Sequence, residues 1–344
     1  MKAKKKKMKL GGFFALDDRK RKLEEFTTPT DKLKTAIPWE IFTPILENVV
    51  PRKDRSKGGR PPYDLLLLFK ILVLQTYYGL SDDKTEFEIL DRMSFQKFLN
   101  LEVEDDVPDS KTIWKFKEDL GEKGTRALFD EFDRQLEQAG IIATKCVMVD
   151  ASFVDAPRQR NTREENKRIK AGQGAPEDWK EAKKRQKDTD ARWAKKNNET
   201  HFGYKNHVKA EKQSKLIEDY KVTEASRHDS QVLEDLVDEK DECLYADSAY
   251  KSEEHDELLS RHGIENQVHE KGKRNAPLTE EQKQRNREKS RTRVRVEHIF
   301  GFMSGTMKAD RIRTIGRKRA ERQVGLINLV YNMARTVQLG QSLA

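Results

Sequence analysis

The chain has 344 residues, 35% of them hydrophobic and 38% charged, with a net charge of +9. That length allows two domains of common size and a substantial core, and that charge favours a polyanionic partner. Two cysteines, Cys146 and Cys243, are too few for a disulfide framework and suggest a reducing compartment. No segment reads as a signal peptide or a membrane span: the lysine-rich start runs into Gly11-Gly12-Phe13-Phe14, and the greasiest run, Leu65 to Leu74, carries Lys70.

In chain order, residues 1–37 read as a basic, flexible arm with little core, Met1 to Lys9 being mostly lysine. From Pro38 the pattern turns helical. Pro62 sits at the first turn of a helix whose apolar face spans Leu65 to Tyr78, and Gly79 stops it. Ser81 to Leu99 repeats Phe87, Ile89, Leu90, Met93, Phe95 and Phe98 at helix-like intervals. Asp109 or Ser110 caps a helix carrying Lys111, Trp114, Lys115 and Lys117, and Arg126 to Gln138 forms another, ended by Gly140. Short helices with polar turns over residues 38–140 suit a DNA-binding or dimerisation domain. The sequence leaves open whether the helix from Ser110 reads DNA or shows its lysines to solvent.

Ile141 to Phe153 is β-branched and apolar, a central strand. Residues 158–200 are dominated by charged and amide side chains and read as an insertion, partly helical from Pro176 to Lys195, with Trp179 and Trp193 as anchors. Phe202 to Ala210 and Lys215 to Thr223 form a hairpin, Asp229 or Ser230 caps a short helix, and Cys243 to Asp247 is the next strand. Ser252 opens a helix closed by Gly263, and Ile264 to Val268 is a last strand. Thr279 and Gln282 form a capping box for a long helix, and Gly325 to Leu339 is the final one. Residues 141–344 therefore predict an α/β domain, a mixed sheet flanked by helices, behind an all-helical N-terminal domain.

Val147-Met148-Val149-Asp150 and Leu244-Tyr245-Ala246-Asp247 are apolar runs ending in aspartate; Glu297 lies in the basic segment Arg293-Val294-Arg295-Val296-Glu297-His298. Two strand-end carboxylates and one from a helix supply hard oxygen ligands for paired divalent cations, chemistry suited to in-line displacement at phosphorus. Each cysteine precedes its aspartate by four residues, so side-by-side parallel strands would pair Cys146 with Cys243, as reduced core residues, and Asp150 with Asp247. His207 and His298 fit this set less well, because His298 points about 100° away from Glu297 on a helix. Ser248 and Tyr250 lack the companions of a nucleophilic recombinase.

The strings Gly59-Arg60-Pro61-Pro62-Tyr63-Asp64, Gly203-Tyr204-Lys205-Asn206-His207, Arg227-His228-Asp229-Ser230, Ala246-Asp247-Ser248-Ala249-Tyr250, Val296-Glu297-His298-Ile299-Phe300-Gly301 and Tyr331-Asn332-Met333-Ala334-Arg335 occur in one order. In that order the chain resembles bacterial insertion-sequence transposases of the DDE class, the IS-five family and its relatives. The resemblance implies an RNase H-like catalytic domain. It also implies catalytic, metal-holding Asp150, Asp247 and Glu297, and two Mg²⁺ ions with Mn²⁺ as a substitute. Cleavage and joining of double-stranded DNA by a homodimer on paired transposon ends would follow, in a cytoplasmic, nucleoid-associated protein. A catalytically inactive DNA-binding descendant is the alternative. Arg293 fits the arginine of the family signature around the glutamate, whereas Ser290 and Ser304 stand where tyrosine and lysine are expected. Lys289, Arg291 or Lys308 are the available substitutes. Arg293, Lys205, Lys111, Lys115 and Arg317 are the expected DNA contacts.

Overall fold

The computed structural model describes residues 14–51, 58, 61–142, 145–196, 198–272 and 276–343. The basic start, Met1 to Lys9, and Gly59 and Arg60 of the first string lie outside them. The arm reading is corrected from residue 15 onward. Helix α1 (Ala15–Glu24) is exposed, but α2 (Pro29–Ala36) opens with a Thr28–Asp31 capping box and buries Leu33 and Ala36. Helix α3 (Thr43–Val49) follows a short 3-10 turn, and α4 (Leu65–Tyr77) is the expected apolar helix, capped by Asp64. Gly79, at φ +61°, then turns the chain.

The helix expected over Ser81–Leu99 is two, α5 (Asp82–Asp91) and α6 (Met93–Leu99), because Arg92 adopts extended dihedrals between them. Phe87 and Leu90 of α5 face solvent, although their spacing placed them on its apolar side. Conversely, the two helices expected between Ser110 and Gln138 form one element, α7 (Ser110–Gln138), kinked at Gly121.

The sheet begins with β1 (Cys146–Asp155). The insertion adds α8 (Arg163–Lys170), α9 (Glu181–Lys184) and a strand, β2 (Arg192–Lys196), where helix was expected. Trp179 is buried and donates to Glu165; Trp193 is half-exposed against Phe202. The hairpin is β3 (Glu199–Glu211) with β4 (Ile217–Glu224). Then come α10 (Leu233–Leu236), β5 (Cys243–Tyr245), α11 (Glu253–Arg261), β6 (Glu265–Asn266), α12 (Glu280–Gly305) and α13 (Arg317–Gln338).

Strand order is β2-β3-β1-β5-β6, with β4 also paired to β3. β1 runs antiparallel to β3 and parallel to β5, the order expected for an RNase H-like sheet. β1 serves two cores through its period of two. Val147 and Val149 face a cluster with Leu233, Leu244 and Leu259; Met148 and Val154 face a larger one with α12 and α13. The larger core is continuous with that of α2, α4 and α7, so the N-terminal helices and the sheet share one apolar interior. Among the described residues, no single helix is long and apolar enough to cross a membrane.

Cys146 and Cys243 are register partners on β1 and β5, as their equal offsets predict, but the expectation of free thiols is corrected: they form a disulfide. Their Cα atoms are 4.5 Å apart, within the span such a bond requires.

Candidate active site and basic surface

β1 and β5 pair through Met148↔Tyr245, and two further steps along both strands lead to Asp150 and Asp247. Asp247 lies past the end of β5, where it caps a one-turn 3-10 helix by accepting from the Ala249 N–H at 2.7 Å. Its capping role does not remove it from the site, because only one carboxylate oxygen is used. Asp150 accepts from the Ala151 N–H at 2.8 Å through one oxygen and from Arg293 Nη1 at 3.0 Å through the other.

Arg293 stands one turn before Glu297 on α12, and its Nη2 donates to Glu297 at 3.0 Å. One guanidinium thus joins a strand carboxylate to a helix carboxylate. Asp150 is nearly buried, whereas Glu297 is half-exposed. Burial pushes the Asp150 carboxyl up to about 6, and the charge of Asp247 adds to that. The Ala151 N–H, Arg293 and Lys196 act in the opposite direction. The site therefore carries negative charge that is only partly compensated.

Asp150 lies in the middle of β1 and Asp247 just past the end of β5; Arg293 ties Glu297 of α12 to Asp150, and the charge of Asp247 reaches Asp150. Their hard oxygens suit a divalent cation, and the Asp150–Asp247 repulsion is the stress a cation relieves. Among the described residues, no three such side chains are grouped as a ready metal cage. Arg293 instead occupies the space between Asp150 and Glu297 as their cationic partner.

His269 belongs to this neighbourhood and was not read from the sequence. Its backbone N–H donates to Ala246, next to Asp247, and its ring lies 3.3 Å from the Ser290 hydroxyl. Burial and Arg293 hold its imidazole below the usual range. The signal available was its place one residue past the last expected strand, beside the stretch after β5 that carries Asp247. Lys196, at the end of β2, was missed because its strand was read as helix.

His207 is buried, bonds Thr223 at 2.9 Å, and is pushed by burial down to about 4, so it is a neutral core residue. His298 bonds Lys215. Tyr250 is buried in the smaller core, unsuited to nucleophilic attack. Ser290 donates to the Asn286 carbonyl and Ser304 to that of Gly301. Lys289 donates to the Val268 carbonyl.

The expected DNA contacts separate into three groups. Lys205 is corrected: it is only 8% exposed and donates to Asp229 and the Arg227 carbonyl, both at 2.7 Å. Lys115 and Arg317 are exposed but ion-paired, with Asp119 and Glu321. Lys111 is exposed, and among the described residues no carboxylate pairs with it.

Residues 17–119 match a family described as "Transposase domain (DUF772)". A cryo-EM structure of the piggyBac transposase synaptic complex with hairpin DNA is similar to 94% of this chain and 78% of its own, at 12% identity and a TM-score of 0.45. Residues 143–333, over half of the sequence, match the family described as "Transposase DDE domain", and they contain β1, β5 and α12 with all three acids. The chain belongs to the DDE-domain transposases.

Proposed function

We propose that the chain is the transposase of a bacterial insertion sequence akin to the IS-five family. In this reading it binds the element's terminal inverted repeats and catalyses strand cleavage and strand transfer at Asp150, Asp247 and Glu297. The observation that carries the reading is the Arg293 bridge between Asp150 and Glu297, with Asp247 at the neighbouring strand end.

Asp150, Asp247 and Glu297 would hold Mg²⁺, or Mn²⁺ in its place. When bound, such ions supply charge neutralisation at the attacking and leaving oxygens of a phosphodiester. The protein's own residues do the rest. The Ala151 and Ala249 N–H groups each fix one oxygen of an aspartate, and the second oxygen of Asp150 is held by Arg293. Arg293 holds the helix against the strand and offers a planar fork that matches phosphate as well as carboxylate. Burial of Asp150 excludes water from one side of the site. Two transposon ends must be held together for concerted insertion, so the active species is a homodimer on paired ends. A cytoplasmic, nucleoid-associated location accompanies that activity.

The test is cleavage and joining of DNA carrying the element's own ends, in Mg²⁺. Asp150→Asn, Asp247→Asn and Glu297→Gln should each abolish both steps while retaining end binding. Cleavage and joining retained in all three variants would remove these acids from the site, whereas wild-type protein that binds ends but never cleaves them would identify a binding-only descendant.

A further inference from the structure

A cleft of about 530 Å³, separate from the carboxylates, lies between the N-terminal helices and the stretch 307–315 that links α12 to α13. The turn from α4 into α5 and the first turn of α7 form one wall; Lys308, Arg311 and Arg313 lie on the other. Its charge is unbalanced. Lys117 pairs with Asp82, and Arg319 and Arg322 share Glu118. Lys111, Lys308, Arg311 and Arg313 have no carboxylate partner among the described residues, against a single unpaired carboxylate, Asp83. The α5 and α7 N-termini add the positive ends of their dipoles. Beneath the floor, Arg322 is 2% exposed with its Nε–H unpartnered, and the Thr314 hydroxyl is likewise buried without a partner. The protein itself leaves this donor capacity unused.

The cleft is also in line with the carboxylates. Asp155, at the end of β1, accepts from Ile312 and donates to Asp310, so the Arg311 segment extends the sheet as a parallel bridge. Five residue steps lead from Asp150 to that bridge, about 17 Å along β1. A smaller depression of about 160 Å³ fills the interval. It is lined by Ser152, on the same face as Asp150, and by Gly301 and Ser304, on α12 beyond Glu297. It shares Ala309 and Ile327 with the large cleft.

We infer that this cleft binds backbone phosphate of a nucleic-acid strand that continues from the catalytic carboxylates, roughly five nucleotides from the reacting bond at about 3.4 Å per step. Trp114, half-exposed on the rim beside Lys111, is placed to lie against the sugar or base of that strand. The inference rests on the proposed function, which supplies the strand; the cleft supplies its path.

The test uses the full chain and the double variant Lys111→Ala/Arg311→Ala, both side chains lacking ion-pair partners, with Lys123→Ala on the exposed side of α7 as a control. Duplex DNA of about 40 base pairs is titrated by fluorescence anisotropy across salt, and AMP and inorganic phosphate by calorimetry. The double variant should bind duplex at least about tenfold more weakly and lose nearly two units of log–log salt slope, about 0.9 for each phosphate contact removed. Its thermal melt and the binding of Lys123→Ala should match wild type. A wild-type slope in the double variant overturns the cleft assignment, whereas wild-type protein with no salt-dependent duplex binding overturns the transposase reading instead. Loss of AMP or phosphate binding with duplex binding unchanged would mark a free-nucleotide pocket and overturn the strand path.

Discussion

Arg293 lies 3.0 Å from Asp150, a residue 143 positions earlier in the chain, and holds Glu297 at the same distance with its other terminal nitrogen. A bidentate fork spanning two acids is geometry that lysine does not reproduce. Arg293→Ala should therefore lower single-turnover strand cleavage by about a hundredfold or more, and Arg293→Lys should recover only part of it. Removing the competing cation should also lower the Mg²⁺ concentration at half-saturation. Wild-type cleavage by Arg293→Ala at saturating Mg²⁺ would leave the bridge with no role beyond holding the fold.

The Cys146–Cys243 bond closes a sequence separation of 97 residues, which includes the whole insertion. Cross-linking so long a loop restricts the unfolded chain, a stabilisation of about 2–4 kcal/mol. Thiol titration of denatured, unreduced protein should find no free thiols. Reductant should lower the melting temperature of wild type but not that of Cys146→Ser/Cys243→Ser. Two titratable thiols in freshly purified protein would show the pair reduced in solution.

The same two cysteines show what the sequence carries and what it does not. Their equal offsets from Asp150 and Asp247 are a local pattern, and β1 and β5 pair in that register; whether neighbouring thiols are joined is set by redox chemistry, which no spacing records. The Thr279–Gln282 box is likewise local, and it starts α12 where expected. The break at Arg92 was not legible, because the apolar spacing continues across it without a proline or glycine. Nor was β2, whose five residues become a strand only by pairing with β3. Lys205 misled for a related reason: a lysine beside aromatic and amide residues reads as surface until Asp229, twenty-four positions on, is brought to it.

Gly325 of α13 marks the closest approach of the last helix to both α7 and β4. A Cβ there would lie 2.5 Å from the Tyr220 hydroxyl and 2.8 Å from the Thr125 methyl carbon. Neither can withdraw easily, since Thr125 is fully buried and the Tyr220 ring packs edge-on against Phe129. Gly325→Ala should destabilise by about 1–3 kcal/mol despite its gain in helix propensity. Urea denaturation checks this, and a midpoint at or above wild type would show that the helix shifts freely.

Lys209 faces several carboxylates where α7, β4 and the turn before β5 meet. Its ammonium lies 3.2 Å from Asp241 and 3.8 Å from Glu218. Burial, with Asp241 and Asp133 nearby, pushes Glu218 up to about 8; burial, with Glu137, Asp130 and Asp219, pushes Asp133 up to about 7. A raised folded-state value means that the folded protein holds these protons after the unfolded chain has released them. Stability from this cluster is thus full below about pH 4 and declines until about pH 8. Glu218→Gln fixes the neutral form. It should melt like wild type near pH 5 and be more stable at pH 8, by on the order of 1–3 kcal/mol. Parallel pH profiles for the two proteins would exclude a titrating Glu218.

Asp188 makes the insertion part of the fold. It is 1% exposed and accepts from the Tyr204 hydroxyl, from the N–H groups of Asp190 and Ala191, and from the Gly316 N–H at the start of α13. Asp190 accepts from the Arg317 N–H beside it. Two carboxylates of the insertion therefore satisfy donors that α13 leaves open at its N-terminus. This explains why α13 begins at Arg317, ahead of Ala320, the first residue of its buried face. Asp188→Ala should leave Tyr204 and Gly316 without acceptors in a buried setting and cost about 2–4 kcal/mol. Asp188→Asn, which keeps one acceptor oxygen, should cost less. Deleting residues 159–195 should accordingly destabilise the sheet itself, contrary to what a surface decoration would do. Hydrogen exchange resolves the difference: in Asp188→Ala, amides of residues 317–321 should exchange faster than those of 328–334. Unchanged protection over the first turn of α13, with a wild-type melting temperature, would return the insertion to the status of an appendage.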